Sequence, residues 1–406
     1  MTGAVEVTGA VGPSGLMKTY APTPVTFVRG EGTLLFDDSG KRYLDFLSGI
    51  AVTSLGHAHA GVAAAIEQQA KRLVHVSNLF GNELAGPLAM TIDRLVGDGV
   101  GAGGQVFFAN SGAEANECAI KLARRYFSRS RSRARTVRHV VVSAIGSFHG
   151  RTLATLHATG QPEKHAGFEP LPAGFTHVPF ADLAALDEAT RAPTVAAVLL
   201  ETIQGEGGVV PAPHGYLNAV RNLCDDRGIL LIIDEIQTGL GLTGRWFGFQ
   251  HAEIRPDIVT IAKALGNGFP IGACWARGEV ADAFKPGDHG STFGGQPLAC
   301  AAALATLAAM EELDVPALAV DAGARLAAGL ARLGGVAEVR GEGLLLGAVM
   351  QPGIDAKFLV KLALEQGLVV NAPVPDVIRL APPLNVSYAE IDEALAILAT
   401  VMPEAA

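Results

Sequence analysis

Short runs of consecutive apolar residues recur through the middle of the chain, at 106–109, 139–144, 195–200, 229–233 and 257–262. Runs of that length without polar alternation predict strands buried on both faces. Between them, apolar residues spaced three and four apart predict helices over 113–127, 215–227 and 296–312, and Gly228 stands where a C-cap glycine belongs. The alternation predicts an α/β protein with a mostly parallel sheet covered by helices.

From about residue 315 the rhythm restarts on a smaller scale. Helices are predicted at 319–333 and 355–366, and strands at 336–340, 344–350 and 377–380. The first 55 residues hold Pro22, Pro24 and one short strand-like run at 33–36, and read as an arm. The expected organisation is an N-terminal arm or part of a small domain over 1–55, a large domain over 56–310 and a C-terminal small domain over 311–406.

Composition narrows the function classes. With 406 residues, 49% of them hydrophobic and 17% charged, the chain has material for a sizeable core, and its 49 glycines follow no Gly-X-Y register. Collagen-like and disordered classes are excluded. A formal charge of -9 argues against broad nucleic-acid binding, which needs surplus Lys and Arg. One basic stretch, Arg124, Arg125, Arg129, Arg131, Arg133, Arg135 and Arg138, reads as a helix end followed by a solvated loop. Cys118, Cys224, Cys274 and Cys300 form no C-x-x-C pair and read as buried free thiols. No signal peptide or transit peptide is readable before Lys18, and the apolar stretch 298–310 is too short to span a bilayer. A soluble cytoplasmic protein with small-molecule partners and no metal site is expected.

Gly99 to Gly104 spell G-x-G-x-x-G, but the string precedes a predicted strand instead of following one, so it reads as a loop and not as a dinucleotide fingerprint. Three other places carry chemistry. The strand at 106–109 runs through Asn110-Ser111-Gly112-Ala113 directly into a helix, which makes either an anion site on free N–H groups or a plain Ser111 N-cap. Asp234 follows four apolar residues at a strand end, as a turn residue or a partner for a cation. Lys263, one of nine lysines, ends another apolar run, either snorkelling to solvent or desolvated and suited to imine chemistry. An anion cradle, an acid and a lysine at strand ends of one sheet are together what pyridoxal phosphate requires.

At these residues the chain resembles the class III aminotransferases, fold type I enzymes that use pyridoxal phosphate, and most closely their acetylornithine aminotransferase branch. The blocks are NSGAEANECAIKLAR from Asn110, GSFHGRT from Gly146, IQGEGGV from Ile203, LLIIDEIQTGLG from Leu230, TIAKALGNGFPIGA from Thr260, HGSTFGGQPLAC from His289 and VIRLAPPL from Val377. Ala60, Thr202, Leu242 and Gln296 depart from the family's HAHP, EPIQGE, GLGRTG and GGNP blocks, and Leu242 in place of arginine removes a charge from a loop or interface.

The resemblance implies a large domain with a mostly parallel seven-stranded sheet plus a smaller α/β domain, and a homodimer with active sites completed across the interface. It implies that Lys263 holds the cofactor covalently and shuttles a proton between substrate carbon and C4′. Asp234 would pair with the pyridinium nitrogen and Gln237 with the phenolic oxygen, while Phe148 and Ile236 cover the two ring faces. Ser111, Gly112 and Ala113 would bind the phosphate, with Thr292 arriving from the second subunit. Arg151 would clamp the substrate α-carboxylate, Ser291 would lie beside it, and Glu206 with Arg379 would form a switch between two unlike substrates. LDFLSGIAVTSLGHAH from Leu44 resembles the acetylornithine type, whereas the ornithine type tends to carry a tyrosine after the segment matching 46–49 and a tryptophan where His149 stands. The implied reaction moves the δ-amino group of N-acetylornithine to 2-oxoglutarate. The alternative is another ω-amine, namely ornithine, succinylornithine, succinyl-diaminopimelate or 4-aminobutyrate.

Overall fold

The computed structural model describes residues 15–20, 25–129 and 137–403. Its centre is a seven-stranded sheet of β1 (Gly104–Ala109), β2 (Val140–Ala144), β3 (Phe175–Val178), β4 (Val195–Glu201), β5 (Leu230–Asp234), β6 (Ile258–Ile261) and β7 (Gly272–Arg277), in the order β1-β7-β6-β5-β4-β2-β3. Every pair from β6 to β3 is parallel, and β7 alone runs against both its neighbours. All seven residues of β4 are buried, as an apolar strand with helices over both faces requires. Helices α1 (Gly112–Arg129), α2 (Tyr216–Arg227) and α3 (Pro297–Glu312) follow the predicted periodicity, and Gly228 closes α2 at φ 56.

Two strands of this sheet lie outside the predicted set. In β7, GACWAR, small residues dilute the apolar run, although five of the six positions are buried. In β3, FTHV, the strand is four residues long and sits at the sheet edge.

The C-terminal unit is an antiparallel sheet of Val336–Glu342, Leu345–Met350, Val377–Leu380 and Asn371–Val374, packed with helices Val315–Leu330, Ala356–Glu365 and Tyr388–Val401. The first of these helices begins at Val315, four residues before the predicted start, because Pro316 fits its first turn. Leu242 is buried in the apolar core, and its carbonyl accepts the Leu344 N–H at 2.9 Å, so packing occupies the place of the expected charge.

Strands Phe27–Glu31, Leu34–Asp37 and Arg42–Asp45 form an antiparallel meander whose last strand pairs in parallel with Leu368–Val369. The seam is reinforced by the Lys41 ammonium on the Glu365 carbonyl at 2.6 Å and by a bidentate Arg42–Glu393 pair at 2.6 and 2.9 Å.

Of the basic stretch, Arg131, Arg133 and Arg135 and the side chain of Arg129 lie outside the described residues. The others act as brackets: Arg124 donates to the His139 and Ala173 carbonyls, Arg125 grips Asp288 at 3.1 and 2.8 Å, and Arg138 donates to the carbonyls that end α2. The four cysteines are buried and free.

Candidate active site

The site lies where β1, β5 and β6 end. Two residues, Asn110 and Ser111, separate Ala109 from Gly112, the first residue of α1, and the Ser111 hydroxyl accepts the Glu114 N–H at 3.2 Å. Glu114 reaches back to accept the backbone N–H and the side-chain amide of Asn110, at 2.6 and 2.8 Å. This reciprocal cap satisfies the third N–H of the helix and leaves those of Gly112 and Ala113 with no acceptor inside it. The two expectations for Ser111 are therefore compatible, since the cap itself fixes the loop that presents free N–H groups. Close packing shapes the cradle. A Cβ at Gly112 would stand 2.7 Å from Ile236 Cδ1, and one at Gly272 would stand 2.4 Å from the Ser111 carbonyl oxygen.

Asp234 ends β5 and is 3% exposed. Its Oδ1 accepts the Ile236 N–H at 3.1 Å, and its Oδ2 accepts the Asn116 amide and the His149 Nδ1, each at 2.8 Å. Glu201, paired with Asp234 across the β4–β5 ladder, accepts the Phe148 N–H at 3.1 Å. Burial, with the Asp234 charge beside it, raises the Glu201 carboxyl well above the usual range.

Lys263 stands two residues past the end of β6 and opens a 3₁₀ turn, so the predicted strand is shorter than the apolar run. Its φ of 43 is left-handed, a conformation that costs a side-chain-bearing residue about 1 kcal/mol or more. Burial first, and the Arg379 guanidinium second, push its ammonium down to about 8. At neutral pH a usable fraction is then the free amine.

Beyond the lysine, Arg379 is fully buried, with its Nε donating to Asn371 at 3.1 Å and its Nη1 2.9 Å from a Glu206 carboxylate oxygen. Among the described residues neither Nη1 nor Nη2 has an aligned acceptor, and the Gln237 Nε2 is also buried without a partner. Gln237 is pressed onto the 205–208 loop: a Cβ at Gly205 would stand 1.6 Å from its Oε1. The Arg151 guanidinium lies 5.4 Å from the Phe148 ring centroid. Ser291 accepts the Gly294 N–H at 2.9 Å and approaches the Asn110 amide at 3.3 Å, while Asn78 holds the Ser291 and Gly294 carbonyls at 3.0 Å. Thr292, the next residue, is exposed.

The structure thus brings Asp234, Ile236, Gln237, Lys263, Glu206 and Arg379 together with the Ser111–Ala113 turn, and sets Phe148, Arg151 and Ser291 around them. It leaves Thr292 at the surface. Sequence reasoning missed Glu201, Asn116 and His149. Glu201 carries the same signal that pointed to Asp234, an acid ending an all-apolar strand. Asn116 carries a subtler one, a polar residue in the apolar stripe of a helix.

The unpartnered groups of the site fit pyridoxal phosphate. A buried amide donor at Gln237, two free N–H groups at a glycine-tight helix start, an open carboxylate oxygen at Asp234 and an amine at Lys263 match the phenolic oxygen, phosphate, ring nitrogen and aldehyde of that cofactor. Among the described residues no group of three or more His, Cys, Asp or Glu is placed to hold a metal ion, and no helix is long and apolar enough to cross a membrane.

Comparison with known proteins agrees with the geometry. The pattern of the family "Aminotransferase class-III" matches residues 16–402. The chain is 50% identical to the acetylornithine aminotransferase of Gloeobacter violaceus over 392 residues, covering 94% of each. It is 48% identical to that of Caldanaerobacter subterraneus subsp. tengcongensis over 393 residues, 96% of this chain and 97% of the relative. Among solved structures, the ornithine aminotransferase of Toxoplasma gondii superposes with a TM-score of 0.90 at 35% identity, covering 95% of this chain and 92% of that one. The N-acetylornithine aminotransferase of Stenotrophomonas maltophilia gives 0.81 at 38% identity, covering 94% and 96%. With its sheet order, its clustered acid and lysine and these relatives along nearly its whole length, the chain belongs to the class-III aminotransferases.

Proposed function

We propose that this chain transfers the δ-amino group of N2-acetyl-L-ornithine to 2-oxoglutarate, giving N-acetyl-L-glutamate 5-semialdehyde and L-glutamate, a step of arginine biosynthesis. The single observation that carries the reading is the buried Arg379 beside Lys263, masked by Glu206 at 2.9 Å. A pocket serving a monocarboxylate amine and a dicarboxylate keto acid in turn needs a cation that is covered for the first and open for the second. The Nη groups without aligned acceptors are what a second carboxylate would satisfy bidentately.

When bound, pyridoxal phosphate supplies the aldehyde that takes up the amino group and a ring that delocalises the electrons released on deprotonation. The protein's side chains do the rest. Lys263 would hold the cofactor through its amine, which is also the base placed to move a proton between the substrate's δ-carbon and C4′. Asp234 would face the ring nitrogen, Gln237 would donate to the phenolic oxygen, and Phe148 and Ile236 would cover the two ring faces. Ser111, Gly112 and Ala113 would hold the phosphate. Arg151 binds the α-carboxylate, with Ser291 beside it.

The working unit in this reading is a cytoplasmic homodimer in which the partner subunit's Thr292 completes the phosphate site. In support, exposed apolar side chains surround this loop's anchor: Leu79 at 87%, Phe80 at 69% and Phe293 next to Thr292. The flanking Asn78 and Asn82 tie that segment to the 291–295 loop.

A second reading, an ornithine aminotransferase, is favoured by the TM-score of 0.90 to that class. Half-reactions decide between them. Mixed with each amine alone, the cofactor-loaded enzyme should show absorbance conversion to the aminated cofactor with a higher specificity constant for N-acetylornithine. A higher constant for ornithine or 4-aminobutyrate overturns the substrate assignment.

A further inference from the structure

Resting on the reading above, we propose that Asn116 and His149 are positioning residues that hold the Asp234 carboxylate so that one oxygen alone, Oδ1, is offered to the cofactor's ring nitrogen. The two residues come from different elements, Asn116 from the second turn of α1 and His149 from the loop after β2. Both place an N–H donor on the same oxygen, Asp234 Oδ2, at 2.8 Å. Among the described residues Oδ1 receives only the Ile236 N–H, at 3.1 Å, and keeps lone-pair capacity for a ligand.

Each donor is fixed in its sense by other bonds. The Asn116 Nδ2 faces two acceptors, Asp234 Oδ2 and the His149 carbonyl at 2.8 Å, while its Oδ1 receives the Thr260 hydroxyl at 2.8 Å. The amide therefore has only one satisfactory orientation. The imidazole nitrogen against a carboxylate is the one that carries a proton, and the backbone N–H of His149 is tied to Thr159 Oγ1 at 2.9 Å. Its Nε2 is buried and, among the described residues, has no hydrogen-bond partner, so the Asp234 bond is the one the ring makes there. Thr260 is the penultimate residue of β6, the strand that leads to Lys263, and Asn116 lies on the helix whose start forms the anion cradle. The network therefore sets the acid in register with both the lysine and the phosphate site, where charge-assisted bonds hold geometry best.

The test uses the full chain stripped of cofactor and titrated with pyridoxal phosphate, following absorbance of the bound form. His149→Leu and Asn116→Ala should each weaken binding about 10-fold, the scale of one hydrogen bond to a charged group. His149→Asn, whose amide nitrogen stands where the imidazole Nδ1 stood, should stay within about threefold of the unmodified protein. In an Asp234→Ala background, His149→Leu should add nothing further, because the group it orients is gone. Unchanged affinity in both weakening variants, equal losses for His149→Leu and His149→Asn, or the same loss in the Asp234→Ala background would overturn the positioning role. A purely structural role would instead lower the thermal midpoint of the cofactor-free protein without changing affinity. Should His149→Leu not fold, Asn116→Ala with His149→Asn carries the same comparison. Failure of the unmodified protein to bind pyridoxal phosphate would instead overturn the functional reading itself.

Discussion

Lys263→Met should stabilise the cofactor-free protein. The lysine is held partly enclosed beside a fully buried guanidinium, and its ammonium is pushed from the usual 10.5 down to about 8. At about 1.4 kcal/mol per pH unit that difference amounts to about 3 kcal/mol, and since solvent reaches part of the side chain we expect about 1–3 kcal/mol. The sign follows from proton linkage. Below about pH 8 the folded and unfolded chains both hold the proton, so the folded state carries the whole penalty. Between about 8 and 10.5 the folded chain releases its proton first and stability rises with pH; above that window nothing remains. Methionine is close to lysine in length and keeps the left-handed backbone at this position, so strain cancels in the comparison. Urea unfolding of both proteins at pH 7 and pH 9.5 measures the effect, and the variant's advantage at pH 7 should shrink to about half or less at pH 9.5. A variant less stable at pH 7, or an advantage equal at both pH values, would refute the reasoning.

Gly272→Ala should weaken pyridoxal phosphate binding about 10-fold or more, because its Cβ would meet the Ser111 carbonyl at 2.4 Å and displace the anion turn; a titration matching the unmodified protein would remove that turn from the site. Arg379→Ala should slow the 2-oxoglutarate half-reaction about 100-fold while changing the N-acetylornithine half-reaction less than about 10-fold, the cost of losing one bidentate carboxylate contact. Equal losses in both, read by stopped-flow absorbance, would refute the switch. Thr292→Ala should reduce cofactor affinity up to about 10-fold without changing the thermal midpoint of the cofactor-free protein, and unchanged affinity would take Thr292 out of the phosphate site.

The central fold was legible because parallel strands buried on both faces write themselves as apolar runs, as in β4 and β5. Strand β7 was not, since its Gly272, Ala273 and Cys274 are small to fit against Ser111 and neighbouring strands, and smallness is not hydrophobic periodicity. The N-terminal meander was reduced to one strand because Phe27–Glu31 and Arg42–Asp45 mix charges into runs of four or five residues. Within the site, Asp234 and Lys263 stood out as charges ending apolar runs. The polar groups one step behind them did not. Asn116 is the one polar residue among the buried Ala115, Cys118 and Ala119, and only the fold reveals that Asp234 and Thr260 meet it from two strands. The left-handed backbone at Lys263, likewise, is set by the turn after β6 and by no local residue preference.

The parallel seam between Arg42–Asp45 and Leu368–Val369 bears on how the molecule is made. Lys41 and Glu365, bonded across it, are 324 residues apart. At about 5–20 residues per second, roughly 15–65 s of synthesis separate them. During that interval the meander has a bare edge, and Leu44 and Phe46, both fully buried in the finished protein, lack the backbone partners that Gly367 and Val369 supply. They are made long before the strand that pairs with them. A nascent chain of this protein therefore carries this bare edge while the whole central sheet is made, and chaperone capture during translation should include residues 42–46.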